Sequence, residues 1–527
     1  MPAERLPIVD RPTTAQASPL SMHRRGQAAI VAVALLHPGW ACAQLQDWNA
    51  SFALQETATN NVNLVPNDQR QSDLVTQLTP TISGRERGSH TSLDAYVSLP
   101  VLLYMRTGAE NNSILPTVNV LGDLHSVDRV AHLEGSINIS QQFYTPFGAQ
   151  PQDLANATNN RYRASIYRIS PYLKDTVAGD IEYELRNNNT WSTLNGAPVT
   201  TSNSYVAEFL ARAETKGDRA FGWSVSYDYT DTTFTGQDNS IVTQLARAEP
   251  FYSIDPQFRV SLSVGYENNR YTLTSSSDAI YGVGMRWRPT DRTKVDARWE
   301  HRFFGSSYNF SFDHRTPLTV WNIQASRNIT TYPQQIASLA AGASVSAYLN
   351  ELFQSAYPDA AARQAAVDKF IQDRGLAQIT SGPVSLWTEQ IQLVQQQTAT
   401  VGFIGARNSV FLSAYNVRTQ PISAAGNPLP PSFFSQNDNT QTGAAINWNN
   451  RLTQSVNLAA SLSGLRTAAN APLTGTTRQA FAQVTLSAPL AGRTTCFVGA
   501  RYQTSSSDIT QNYTEAAVFA GFAYTLR

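Results

Sequence analysis

Cysteine is almost missing from this 527-residue chain, with Cys42 and Cys496 the only two. Cys42 sits inside Ala41-Cys42-Ala43, which reads as a small-x-small cleavage site, so a processed chain keeps Cys496 alone and has no intramolecular disulfide. Lysine is scarce as well: of 39 basic residues only Lys174, Lys216, Lys294 and Lys369 are not arginine. Arginine keeps its charge in confined places and pairs through a planar fork, which suits a partly enclosed polar interior, although high genomic GC content gives the same bias. Charge of either sign is sparse, at 15% of residues with a formal balance of zero, so neither nucleic acid nor an acidic ligand is indicated. Beyond the N-terminal region there is no apolar run of about eighteen residues, which excludes ordinary transmembrane helices.

The N-terminal region reads as an export address. Met22-His23-Arg24-Arg25 is a basic stretch, residues 28–36 (AAIVAVALL) form a short apolar core, and cleavage is expected before Gln44. The apolar core is too short to span a bilayer. Residues 1–21 read as an upstream start or a long basic region, with Met22 the expected true start, giving a signal peptide over 1–43 and a mature chain over 44–527. Gly39-Trp40-Ala41 lacks the aliphatic residue expected three before an acylated cysteine, which argues against a lipoprotein.

What the mature chain does contain is alternation of apolar and polar residues, from 48–58 through 513–526, in about twenty-two stretches. Many exceed the five or six residues of an average soluble strand and suit a tilted crossing of a bilayer. Their connections are of two kinds. PTDR (289–292), GARNS (405–409) and PLAGRT (489–494) are short, whereas 144–160 and 419–439 are long and rich in Asn, Ser, Gly and Pro. Short turns at one end and long loops at the other is the outer-membrane pattern. One stretch, 331–386, breaks the rhythm: 344–356 and 358–375 have helical spacing, with Pro358 and Asp359 at a start, Val367, Phe370 and Ile371 on one face, and Gly375 as a stop. This helical hairpin hangs from a long-loop connection, either as a cap or as a gating element.

The hairpin MRWRPTDRTKVDARWEHRFFG (285–305) shows what the alternation is for. Tyr281, Val283, Met285, Trp287, Val295, Ala297 and Trp299 fall on one face, and Arg286, Arg288, Asp296, Arg298, Glu300 and Arg302 on the other. A cation facing lipid at mid-bilayer costs roughly 2–4 kcal/mol, so these charges are expected to line a lumen, with Trp287 and Trp299 facing lipid. The last strand, EAAVFAGFAYTLR, puts Phe522 and Tyr524 on its apolar face and resembles the C-terminal signal read by the outer-membrane insertion machinery, save that Arg527 ends it where an aromatic is usual. By the same phase Cys496 faces lipid. A bilayer leaves no free sheet edge, so the expected fold is all-β: a closed antiparallel transmembrane barrel of eighteen to twenty-two strands, twenty-two by direct reading, with one helical insertion.

QETATNNVNLVPNDQRQSDLVTQLTPTISGRERG (55–88) resembles the opening of the outer-membrane barrel proteins associated with the PEP-CTERM system, and RFFGSSYNFSFDHRTPLTVW (302–321) and GARNSVFLSAYNVR (405–418) resemble the same family. The chain departs from it at Asn60 or Asn61, where the family favours Asp. The resemblance spans most of the mature chain. It implies residence in a Gram-negative outer membrane and association with exopolysaccharide production and exosortase loci, and it supplies no catalytic residue and no cofactor.

Four functions compete. A pore or scaffold for polysaccharide export or surface assembly accounts for the wide barrel and polar lumen, with outer-membrane lipids, a polysaccharide and a periplasmic export complex as partners. A general diffusion porin or a purely structural barrel accounts for the same features without a sugar. A TonB-dependent receptor needs a plug domain before the first strand, but alternation begins at Trp48. An outer-membrane enzyme is expected least: His90, His125, His132, His301 and His314 form no nucleophile elbow or metal-ligand spacing, although His301 and His314 lie near Asp296 and Asp313 in sequence.

Overall fold

The computed structural model describes residues 47–526, apart from 197–201, 218, 236–239, 272–274, 337–382, 386–387, 389, 423–437 and 471–473. The expected signal peptide at 1–43 and the helical segments 344–356 and 358–375 lie outside the described residues. Only residues 332–336 of the 331–386 insertion are described as helical.

Among the described residues, twenty-four hydrogen-bonded segments run from Asp47–Thr59 to Tyr513–Thr525, each antiparallel to its neighbours. The first segment pairs with the second, Asp73–Arg87, and also with the last, through Ser51 opposite Thr525 to Thr59 opposite Ala517. The sheet is therefore closed and has no edge, the only sheet that satisfies every backbone group in lipid.

The twenty-four segments make twenty-two strands. Thr91–Ser98 and Val101–Tyr104 both pair with Asp73–Arg87, and their partners Thr117–His125 and Ser113–Ile114 again lie end to end. Pro100 and Pro116 sit at the two breaks. Proline has no N–H to give a ladder, so the alternating stretches 90–106 and 114–126 are interrupted at these points.

The ends are unequal. At one end no connection between strands exceeds five residues; at the other they reach the length of 331–391. The PTDR turn lies at the short end but is tighter than expected: the strand Ser275–Thr290 continues through Pro289, bulges between Trp287 and Thr290, and turns over Asp291 and Arg292 alone.

Outside and inside follow from burial. Val260, Leu262, Val264 and Tyr266 alternate with Ser261, Ser263, Glu267 and Asn269 along one strand. Leu262 is 59% exposed, whereas Glu267 is fully buried. The same inversion recurs round the ring, with Tyr281, Val283, Leu462, Val484 and Val518 all exposed. An apolar belt of this extent is a lipid-contact surface. Near the short-turn end it is bounded by Trp48, Trp287, Trp321, Trp448 and Tyr524, the side chains of an interfacial girdle. Trp321 donates its indole N–H to Thr319 Oγ1 (3.1 Å) and Trp448 to Asn408 Oδ1 (3.1 Å), giving each ring the polar partner an interface allows. The chain is a transmembrane β-barrel of the outer-membrane type.

Candidate functional site in the barrel lumen

The six charged residues read from the 285–305 hairpin lie on one face of their strands, opposite the exposed Trp287 (44%) and Trp299 (40%). Arg286 pairs with Asp296 across the hairpin (3.1 Å). The others reach further. Arg298 meets Glu249 at 2.8 Å, Glu300 meets Arg247 at 2.8 Å, and Arg302 meets Glu267 at 2.6 Å. Arg288 continues the same alternation beside the bulge, and its backbone N–H donates to Gln257 O (2.7 Å). Phe522 and Tyr524 of the last strand are exposed on the outer face, and Cys496 shares their phase, opposite Phe522.

Arg247 and Glu300 stand on the strands Ile241–Asp255 and Thr293–Arg302, with Phe258–Arg270 and Ser275–Thr290 between them. Three interstrand steps are about 14 Å, so both side chains must lie flat along the wall. Glycine makes the room. Gly265 is opposite Arg247 and Gly282 is opposite Glu300. A Cβ on Gly265 would come within 2.3 Å of Ala246 O, and one on Gly282 within 2.1 Å of Trp299 O and 2.8 Å of Glu300 Cγ. These pairs form a charged arc in which acid and base nearly balance. Replacing Glu249 and Glu300 by Gln should leave Arg247 and Arg298 uncompensated, and the reversal potential in a KCl gradient is then expected to move toward anion selectivity.

The opposite arc is different. On the six strands from Thr319–Thr330 to Gly475–Ala491 the luminal positions are amides, hydroxyls and apolar residues, exemplified by Gln396, Thr398, Ser413, Asn447, Ser463 and Gln483. Among the described luminal positions of these six strands, charge returns only at Arg451, beside the short turn.

Between the arcs, loop 144–160 folds inward and crosses from its own strands, Ala131–Phe143 and Arg161–Val177, to the far wall. Thr467 Oγ1 donates to Pro146 O (3.2 Å), Gln479 Nε2 to Gly148 O (2.8 Å), and Thr510 Oγ1 to Phe147 O (3.0 Å). Its firmest anchor is ionic. Arg501, with a fully buried side chain, holds Asp153 of the loop at 2.6 Å and Glu515 of the last strand at 3.1 Å. Glu515 also accepts hydrogen bonds from Thr59 Oγ1 (2.7 Å), Asn156 Nδ2 (3.2 Å) and Gln503 Nε2 (3.2 Å). One carboxylate therefore joins the first strand, the last two strands and the loop, at the place where the barrel closes.

The described flanks of the 331–386 insertion also turn inward. Tyr332 and Ile336 are buried against Tyr162, Ala164, Ile166 and Leu194 on a distant wall, and Gln334 Nε2 donates to Glu208 Oε1 (3.2 Å). Val384 exchanges two hydrogen bonds with the Gln441 side chain. A cleft of about 440 Å³ beside loop 144–160, its open volume included, is lined by Gln150, Tyr415, Ser463, Gln479, Phe481 and Gln503.

The histidines fall into two groups. His301 and His314 stand on the lipid side, His301 stacked on Tyr281 (5.1 Å between rings), whereas Asp296 and Asp313 are luminal. His90, His125 and His132 do gather inside the short-turn end, with His132 stacked on Tyr172 (4.4 Å) and Arg186 over the same ring (3.8 Å). Among the described residues no group of histidines, cysteines and carboxylates is arranged to hold a metal ion.

No family model matches the chain, and no curated protein does. Solved structures that it is similar to include the ferric enterobactin receptor of Pseudomonas aeruginosa (TM-score 0.46, 9% identity, 90% of this chain and 81% of that one). Others are the siderophore receptor PirA of Acinetobacter baumannii (TM-score 0.45, 10% identity, 91% and 80%) and the outer membrane protein opdK of Pseudomonas aeruginosa (TM-score 0.33, 9% identity, 91% and 99%).

Proposed function

We propose that this barrel is a conduit in the outer membrane for a neutral, hydroxyl-rich polymer, in the service of exopolysaccharide export or surface assembly. The observation that carries this reading is the uncharged arc of amides and hydroxyls facing loop 144–160. A polymer of sugars has little charge to neutralise and many hydroxyls, each able to give and accept a hydrogen bond, and amide side chains offer both partners. The paired charges of the other arc keep water in the lumen without a strong net field that would select ions. The resemblance of 55–88 to the barrel family associated with the PEP-CTERM system supports the same assignment. A general diffusion porin is the second reading, favoured by the near balance of luminal charge.

Ion current through the purified protein in planar bilayers separates the two. Neutral oligosaccharides are expected to interrupt the current in discrete, concentration-dependent events, and Gln396→Ala with Gln483→Ala is expected to shorten them. A conducting channel in which neutral oligosaccharides cause no interruption would leave the diffusion porin standing. No conductance in the native chain or in a variant with loop 144–160 released would sink both readings and leave a structural barrel.

A further inference from the structure

The lipid-facing surface carries an arginine pair that the lumen reading does not use. Arg466 on the strand Asn457–Ala469 and Arg478 on the strand Gly475–Ala491 are directly opposite one another. Their phase is that of Leu462, Val484 and Leu486, all exposed on the outside, so both guanidinium groups project from the membrane face of the barrel near the long-loop end. Both are exposed, and neither has an ion pair or side-chain hydrogen bond among the described residues. Arg418 stands two strands from Arg466 with the same outward phase, nearly half exposed, and its nearest carboxylate, Asp438, is 3.9 Å away. Asp438 is itself held by Asn470 Nδ2 at 2.5 Å.

Like charges directly opposed on neighbouring strands repel, and their side chains lie within about 5 Å at the Cβ atoms. The nearest carboxylates, Asp438 and Asp508, stand at the strand ends beside the long loops, and neither is ion-paired with Arg466 or Arg478. The outward positions of the five strands from Asn408–Pro421 to Thr494–Ser507 contain no Asp or Glu, and neither do the adjoining stretches 422–437 and 471–474. Without an ion pair of their own, Arg466 and Arg478 leave their charge open to a partner outside the protein, at the height where lipid headgroups sit.

We propose that Arg466 and Arg478, with Arg418 at the margin, bind the phosphate of a phosphorylated glycolipid headgroup in the outer leaflet. Two guanidinium forks facing one another suit a single phosphate, each able to donate two parallel N–H bonds to its oxygens. The site fixes one patch of the barrel wall to the lipid around it, opposite to the charged luminal arc and independent of what passes through the lumen.

The test uses the full barrel in mild detergent, with lipid A as probe and its dephosphorylated form as the comparison, and bound lipid per barrel read by native mass spectrometry. The native chain is expected to retain lipid A about tenfold better than the dephosphorylated lipid, as loss of charge-assisted bonds of this kind implies. Arg466→Gln with Arg478→Gln should bring lipid A down to the dephosphorylated level, while Arg286→Gln inside the lumen should not. Equal retention of the two lipids by the native chain, or unchanged lipid A binding by a double variant that still migrates as a folded barrel, would overturn the proposal.

Discussion

Asp153→Ala combined with Asn156→Ala is expected to raise the single-channel conductance of the barrel severalfold and to broaden its current noise. Asp153 gives loop 144–160 its ionic tie to Arg501, at 2.6 Å, and Asn156 ties the same loop to Glu515 and Gln503. Without those contacts the loop keeps Pro146, Phe147, Gly148 and Gln150 bonded to the far wall and Ala157 bonded to Val62, each through a single neutral hydrogen bond worth about 0.5–1.5 kcal/mol. Arg501 retains Glu515, so the wall itself stays paired and the barrel is expected to remain folded. Conductance then reports the loop and not the scaffold. An unchanged conductance, with the loop shown released by new cleavage sites for an added protease, would mean that the passage does not run beneath 144–160.

The alternation that predicts the barrel is local, and for that reason it was legible. Each strand states its two faces in its own dozen residues, so the strand count, the luminal side of Arg286 to Arg302 and the lipid side of Trp287, Phe522 and Tyr524 are all present in the order of residues. The partners of the charges are not. Glu300 lies beside Arg298 and Arg302 in sequence and yet meets Arg247, because facing the lumen leaves a side chain free to cross several strands, and sequence spacing does not record that reach. A signal existed in Gly265, Gly282 and Gly284, since glycine inside a strand marks a close approach. The breaks at Pro100 and Pro116 were signalled in the same way. Loop 144–160 was legible only as polar and long; its course into the lumen depends on Arg501 and Glu515, more than three hundred residues away, and no periodicity announces that contact. The uncharged wall needed no contact to be seen, only the absence of Asp, Glu, Lys and Arg from one phase of six strands until Arg451.

Glu267→Ala is expected to destabilise the barrel by about 3–5 kcal/mol in denaturant unfolding from lipid, the cost of stranding a buried partner. Glu267 is fully buried and its partner Arg302 nearly so. Arg302 donates to Glu267 Oε2 through Nη2 (2.6 Å) and Nε (3.1 Å), and the backbone N–H of Phe303 donates to Oε1 (3.0 Å). The carboxylate thus holds a guanidinium and the first peptide group of the tight turn Phe303–Phe304, where Gly305 takes a φ of 90°. That turn is the shortest connection at the long-loop end, so little else positions it. Removing the carboxylate leaves a cation with no charge partner and an amide with no acceptor. Glu267→Gln keeps the shape and one acceptor, and should lose less, about half as much, because a hydrogen bond to a charged group survives. The decisive comparison is Glu267→Leu with Arg302→Leu. If the loss comes from an unpaired buried charge, the double replacement should recover most of it, since a buried ion pair exchanged for apolar side chains of similar volume is often neutral. A double variant as unstable as Glu267→Ala would place the stabilisation in the Phe303 hydrogen bond and the turn it holds, not in the ion pair.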